Sequence, residues 1–81
     1  SKPHPQMLME LMDFVGVDAE QTLMIGDTEF DLMMAHNAGA HSLGITHGAH
    51  SETTLKAAKP KAIVHNLYQV EKWLTRPDTE F

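Results

Sequence analysis

Three short apolar runs, separated by helix-length segments, constrain this chain more than any other feature. Residues 22–26 (TLMIG), 42–46 (SLGIT) and 62–65 (AIVH) have the length and content of strands. Strands joined through a helix must cross over, so they pair in parallel with helices on their faces. The intervening segments supply those helices. Residues 5–15 (PQMLMELMDFV) put Met7, Leu8, Leu11, Met12 and Val15 on one helical stripe. Pro5 suits the first helical position and Gly16 the position just past the end. Residues 29–38 (EFDLMMAHNA) predict a second helix, closed by Gly39. Ser51 opens a short third helix through about Lys59, and Pro60 stops it. Asn66 opens a last helix, with Leu67, Val70 and Leu74 at helical spacing and Gln69 at the capping-box position. The expected fold class is α/β, with three parallel strands and flanking helices. Such a sheet leaves an apolar strand at an edge with unpaired backbone groups, so the pattern predicts further strands before residue 1.

At 81 residues the chain is one small domain. A chain of this size buries only about 60–65% of its unfolded surface. The formal net charge of −5, from six Lys/Arg against eleven Asp/Glu, argues against a nucleic-acid partner. No apolar run approaches the ~20 residues that span a bilayer, and no leader segment opens the chain. Cysteine is absent. Disulfides and thiolate metal sites are thereby excluded, which fits a cytoplasmic location.

The stretch that carries chemistry is Gly26-Asp27-Thr28-Glu29-Phe30-Asp31. Asp27 falls where an apolar strand ends, and open parallel sheets bind ligands outside the carboxyl ends of their strands. Asp31 lies one helical turn further on, so both carboxylates can face one crevice. Beside the positive end of a helix dipole they could hold a hard cation, and oxygen-only ligation favours Mg²⁺. Gly26 lets the backbone turn tightly and approach a ligand. A second reading is open for Asp31, because Thr28 and Asp31 also have the spacing of a helix cap and its partner. Lys2, beside two prolines in Lys2-Pro3-His4-Pro5 and just before a helix, is a semi-rigid positive charge that could neutralise a phosphate, hold a carboxylate or simply be solvated. His47 and His50 sit three apart in a loop. They read as solvated residues, as a transition-metal pair, or, for His47, as a substrate-side group. His4 reads as a cap for the first helix, the six methionines as core filler, and Trp73 as the residue packing the last helix on the sheet.

Taken together, Lys2-Pro-x-Pro, a helix, an apolar strand and Gly26-Asp27-Thr28-x-x-Asp31 resemble the third and fourth motifs of the haloacid dehalogenase (HAD) superfamily. Asn37-Ala38-Gly39, a strand and Gly44-Ile45-Thr46-His47-Gly48 resemble its phosphoglycolate-phosphatase-like branch. The likeness covers about residues 2–74. It implies the C-terminal part of a Rossmann-like HAD core over 1–74, with a loose polar tail over 75–81. It also implies a Mg²⁺-dependent phosphatase that hydrolyses small-molecule phosphate monoesters through an aspartyl-phosphate. On that likeness Asp27 is the metal-binding acid, and Asp31 supports the site by bonding a metal-bound water or the lysine. Lys2 balances charge at the phosphoryl group, and Gly26 and Thr28 support. The family's nucleophile lies in a D-x-D-x-[TV] motif that this chain lacks. The isolated chain is therefore expected to be an inactive fragment that binds Mg²⁺ weakly and self-associates through its exposed strand edge. The alternative expectation is a non-catalytic binding or assembly module that keeps the fold.

Overall fold

The computed structural model describes residues 4–46 and 52–77. Helix α1 (Gln6–Val15) leads through a 3₁₀ turn (Ala19–Gln21) into strand β1 (Leu23–Gly26) and helix α2 (Glu29–Asn37). Strand β2 (His41–Ile45), helix α3 (Glu52–Lys56), strand β3 (Ala62–Val64) and helix α4 (Leu67–Leu74) follow. The sheet order is β1-β2-β3, and both pairings are parallel. This is the α/β fold that the alternation of runs predicts. β1 and β3 stand at the edges, and β2 lies between them with Ser42, Leu43, Gly44 and Ile45 all buried.

Alternation along the strands separates two faces. On one, Leu43, Ile45, Val64 and Val70 form a core around which Leu23, Ala62 and Trp73 pack. On the other, Leu32, Leu55 and Ala58 pack with Ile63. There α1 adds Leu8 and Met12 against Ala35 of α2 and Met24 of β1. Gly44 faces this second side. A Cβ on Gly44 would meet Leu32 Cδ1 at 3.3 Å and Leu55 Cδ1 at 3.4 Å, so the bare backbone lets α2 and α3 seat on the sheet. Leu32, Leu43 and Leu55 have 0% exposure, and each contributes ~2–3 kcal/mol by leaving water. Among the described elements, α1, α2 and α3 cover one face, and α4 alone covers the other.

Local rules account for most helix ends. Gly16 takes φ 77° and its N–H donates to the Met12 carbonyl at 2.9 Å, closing α1 in the left-handed conformation. Asn66 caps α4 by accepting from the Gln69 N–H at 2.8 Å. Gln69 reaches back to the His65 N–H at 2.7 Å, one residue before the cap. Pro5 occupies the cap position of α1 rather than its first turn, and no side chain caps that end. His4 does not fill the capping role expected of it.

Three expectations change. The α1 stripe is only half buried: Leu8 and Met12 face inward, while Met7, Leu11 and Val15 are exposed. Apolar residues surround α1 on nearly all sides, and its neighbours cover only the strip defined by the i, i+4 pair. On α4, Val70 and Trp73 define the inward face, which turns Leu67 and Leu74 outward. The segment after α4 is tied down rather than loose through Arg76. The Arg76 guanidinium stacks 3.6 Å over the Trp73 ring, and its Nη1 donates to the Trp73 carbonyl at 2.7 Å. Residues 78–81, the loop 47–50 and the Ser51 cap lie outside the described residues.

Candidate functional site

Strand β1 ends at Gly26, and Asp27 is the first residue past its carboxyl end. Thr28 takes extended backbone angles (φ −126°, ψ 156°) and is the cap of α2. Parallel register aligns Gly26 with Gly44 and Ile45 with Val64. The strand tips therefore form one rim, which carries Asp27 after β1, Thr46 after β2 and His65 after β3.

Asp31 is fixed from two sides. Its N–H donates to Thr28 Oγ1 at 3.3 Å, and the Thr28 hydroxyl donates to Asp31 Oδ2 at 3.0 Å. Beneath it lies Gly26. A Cβ built on Gly26 would sit 2.4 Å from Asp31 Cβ and 3.0 Å from its Cγ and Oδ2. The Asp31 side chain thus rests on the bare backbone of the strand end. Gly26 does not occupy the positive-φ region, so the tight turn expected of it is not why glycine stands there. Room for Asp31 is the reason.

Asp27 and Asp31 are both half-buried. With Glu29 they bring three carboxylates to the start of α2, where the helix dipole favours negative charge. Thr28 caps α2 as its spacing predicts, but the Asp31 carboxylate accepts from the Thr28 hydroxyl and not, as in a capping box, from its backbone N–H. Among the described residues, no group of three or more Asp, Glu, His or Cys side chains is gathered to hold a metal ion. Lys2 and His47 lie outside the described residues.

The far side of the rim carries residues for which the sequence gives no site signal beyond their place at strand ends. Thr46 Oγ1 contacts His65 Nδ1. His65 Nε2 lies 3.8 Å from Glu52 Oε1 on α3. His41, at the start of β2, meets the Glu20 carbonyl at 3.1 Å, and His36 is exposed on α2.

A parallel sheet with a Gly-Asp-Thr-x-x-Asp turn at its carboxyl rim defines a class, and comparison with known proteins names it. Residues 1–70 match the family model described as HAD-hydrolase-like, and the chain belongs to that family. It is 46% identical over 69 residues to the "Probable phosphatase IndB" of Dickeya dadantii, covering 85% of this chain and 30% of that protein. It is 35% identical over 69 residues to a phosphoglycolate phosphatase of Vibrio parahaemolyticus, with the same two coverages of 85% and 30%. Among solved structures, a haloacid dehalogenase-like family hydrolase from Streptococcus pneumoniae superposes with a TM-score of 0.83 at 28% identity. That superposition covers 90% of this chain and 35% of that one. The chain therefore spans about a third of the length of the relatives it matches.

Proposed function

We propose that this chain supplies one side of the active site of a phosphatase acting on small-molecule phosphate monoesters, of the phosphoglycolate-phosphatase-like kind. The observation that carries this reading is the turn at the tip of β1, where Asp31 is packed onto Gly26 and bonded by Thr28 beside Asp27. The bare backbone of Gly26 lets α2 start close against the strand tip, which brings Asp31 to the same end of β1 as Asp27. Here two sequence positions are committed to holding Asp31 close to the strand end, next to Asp27.

The donor set suits Mg²⁺ in kind, since Asp27 and Asp31 offer only carboxylate oxygen. It falls short in number, because two carboxylates leave most positions of a six-oxygen shell to water, phosphate and other residues. Asp27 is the direct ligand in this reading, and Asp31 supports it through water. When bound, Mg²⁺ draws charge from the phosphoryl oxygens. The work of this chain's residues is positional: Thr28 and Gly26 fix Asp31, the α2 dipole stabilises the anionic cluster, and Lys2 offsets phosphoryl charge. Hydrolysis proceeds through an aspartyl-phosphate whose nucleophile is not among these residues. The 81 residues alone therefore bind Mg²⁺ weakly and turn over no phosphomonoester. No described helix is long and apolar enough to cross a membrane, and a cytoplasmic location belongs to the same reading.

The test uses the longer protein that joins this segment to a D-x-D-x-[TV] strand. There Asp27→Asn should lower kcat/KM on p-nitrophenyl phosphate by ~100-fold or more while the unfolding midpoint holds. An Asp27→Asn enzyme with near-native turnover would overturn the assignment. Turnover by the 81-residue chain that Asp27→Ala abolishes would instead overturn the inactivity of the chain alone. A second reading, a non-catalytic assembly module, draws on the open edge of β1 and the exposure of Ile25 and Phe30 beside it. A native translation start near Ser1, with no D-x-D-x-[TV] encoded upstream, would favour it.

A further inference from the structure

The chain carries −5 overall, yet three of its six Lys/Arg side chains line a single cavity. Lys56, Lys59 and Lys61 surround a space of about 260 Å³ between α3 and the start of β3, floored by Pro60 and Ile63. Among the described residues, Glu52 is the one acidic residue that lines it. Glu52 lies 3.7 Å from Lys56. Among the described residues, no carboxylate lies within ion-pair distance of Lys59 or Lys61.

The backbone that presents these lysines is constrained. Lys59 takes φ 56° and is the only non-glycine residue with positive φ among the described residues. Its N–H closes the end of α3 on the Lys56 carbonyl at 3.0 Å. Glycine or asparagine usually fills such a left-handed position, because a side chain there is strained. Lysine stands here where glycine would fit more easily. Two residues on, the Lys61 N–H donates to the Ser42 carbonyl at 2.8 Å, which pins the next lysine to the start of β2. A strained residue whose side chain lines a charged cavity points from backbone outlier to function.

We propose that this cavity binds a small anion of the phosphate class, held by Lys56, Lys59 and Lys61 over an apolar floor. The site is separate from Asp27. It lies where β3 begins, at the sheet edge opposite β1, whereas Asp27 follows the carboxyl end of β1. Its volume suits inorganic phosphate or a small phosphate ester. Three ammonium groups match a dianion, with Glu52 trimming the excess charge.

The probes are inorganic phosphate and glycerol phosphate, titrated against the 15N-labelled chain and compared with sodium chloride at equal ionic strength. Saturable amide shifts at Lys59, Lys61 and Ala62 are expected with either phosphate and not with chloride. The tighter of the two arms distinguishes a free-phosphate site from a phosphate-ester site. Lys61→Gln should weaken binding by roughly two- to fivefold. Lys59→Gly is the decisive variant, because it removes the charge and relieves the backbone together. It should leave the unfolding midpoint unchanged or higher while weakening phosphate binding by a similar factor. Chloride shifts equal to those of phosphate would overturn the site. So would phosphate binding that neither variant changes.

Discussion

At the scale of single residues, the closest contact of consequence joins Gly26 to Asp31. The 2.4 Å between a built Cβ on Gly26 and Asp31 Cβ is far inside van der Waals contact. The obstructing atom is a β-carbon fixed by α2, not the free end of a flexible chain. Gly26→Ala should therefore destabilise by ~1–3 kcal/mol, as overpacking does, and push α2 away from the strand tip. The cause can be separated from any intrinsic cost of alanine in β1. Asp31→Ala retains the offending Cβ and should not rescue Gly26→Ala. Asp31→Gly removes it and should recover most of the loss, less the helix penalty of glycine, ~1 kcal/mol. Urea unfolding of the wild type, the three single variants and the two double variants closes both cycles. Equal rescue by alanine and glycine at position 31 would mean that the clash is not with that carbon. The same contact explains why the site was only partly legible. The spacing of Thr28 and Asp31 announces a cap, and the strand-end place of Asp27 announces a ligand site. No pattern in one sequence says that Gly26 is there to make room.

At the scale of elements, the strands and helices are legible because each apolar run is short and each helix has its own punctuation. Gly16, Thr28 and Asn66 mark ends that hydrogen bonding enforces, whereas α3 stops at Lys56, short of the Pro60 that the sequence offers as its end. Which face of a helix is buried is less legible, and α1 explains why. Its apolar residues wrap around the axis, so periodicity alone cannot choose a direction, and the choice falls to what lies alongside. Ala35 and Met24 lie along the Leu8–Met12 strip. The 3₁₀ turn has its own sequence signal in the capping-box spacing of Asp18 and Gln21, and the Gln21 side chain accepts from the Asp18 N–H at 3.0 Å. The two faces of α1 give a direct comparison. Met12→Ala removes a buried side chain and should cost ~2–4 kcal/mol. Leu11→Ala, at a position 57% exposed, should stay within ~0.5 kcal/mol. Chemical denaturation of the dilute chain checks both. A Leu11→Ala loss as large as that of Met12→Ala would mean that the outer face of α1 is covered in solution.

At the scale of the whole molecule, the sheet is covered unevenly. The face with α1, α2 and α3 is closed over Met24, Gly44 and Ile63, whereas α4 alone serves the other and lies against β2 and β3. On that thinner side the alternation of β1 puts Ile25, which is 43% exposed. Phe30, at the start of α2, is 52% exposed. The outer edge of β1 pairs with no described strand, and Leu23-Met24-Ile25-Gly26 carries neither proline nor charge to discourage a partner. Unpaired backbone groups beside exposed apolar side chains are the conditions under which edge strands meet. The 81-residue chain should accordingly self-associate through β1, with sedimentation velocity giving a weight-average coefficient that rises with concentration. Ile25→Lys puts a charge on the edge without touching the buried clusters. It should return the chain to a monomer at the same concentration while leaving the far-ultraviolet circular dichroism unchanged. A wild-type chain that sediments as one monomeric species at millimolar concentration would show that the β1 edge is inert. The expectation drawn from its composition would then fail.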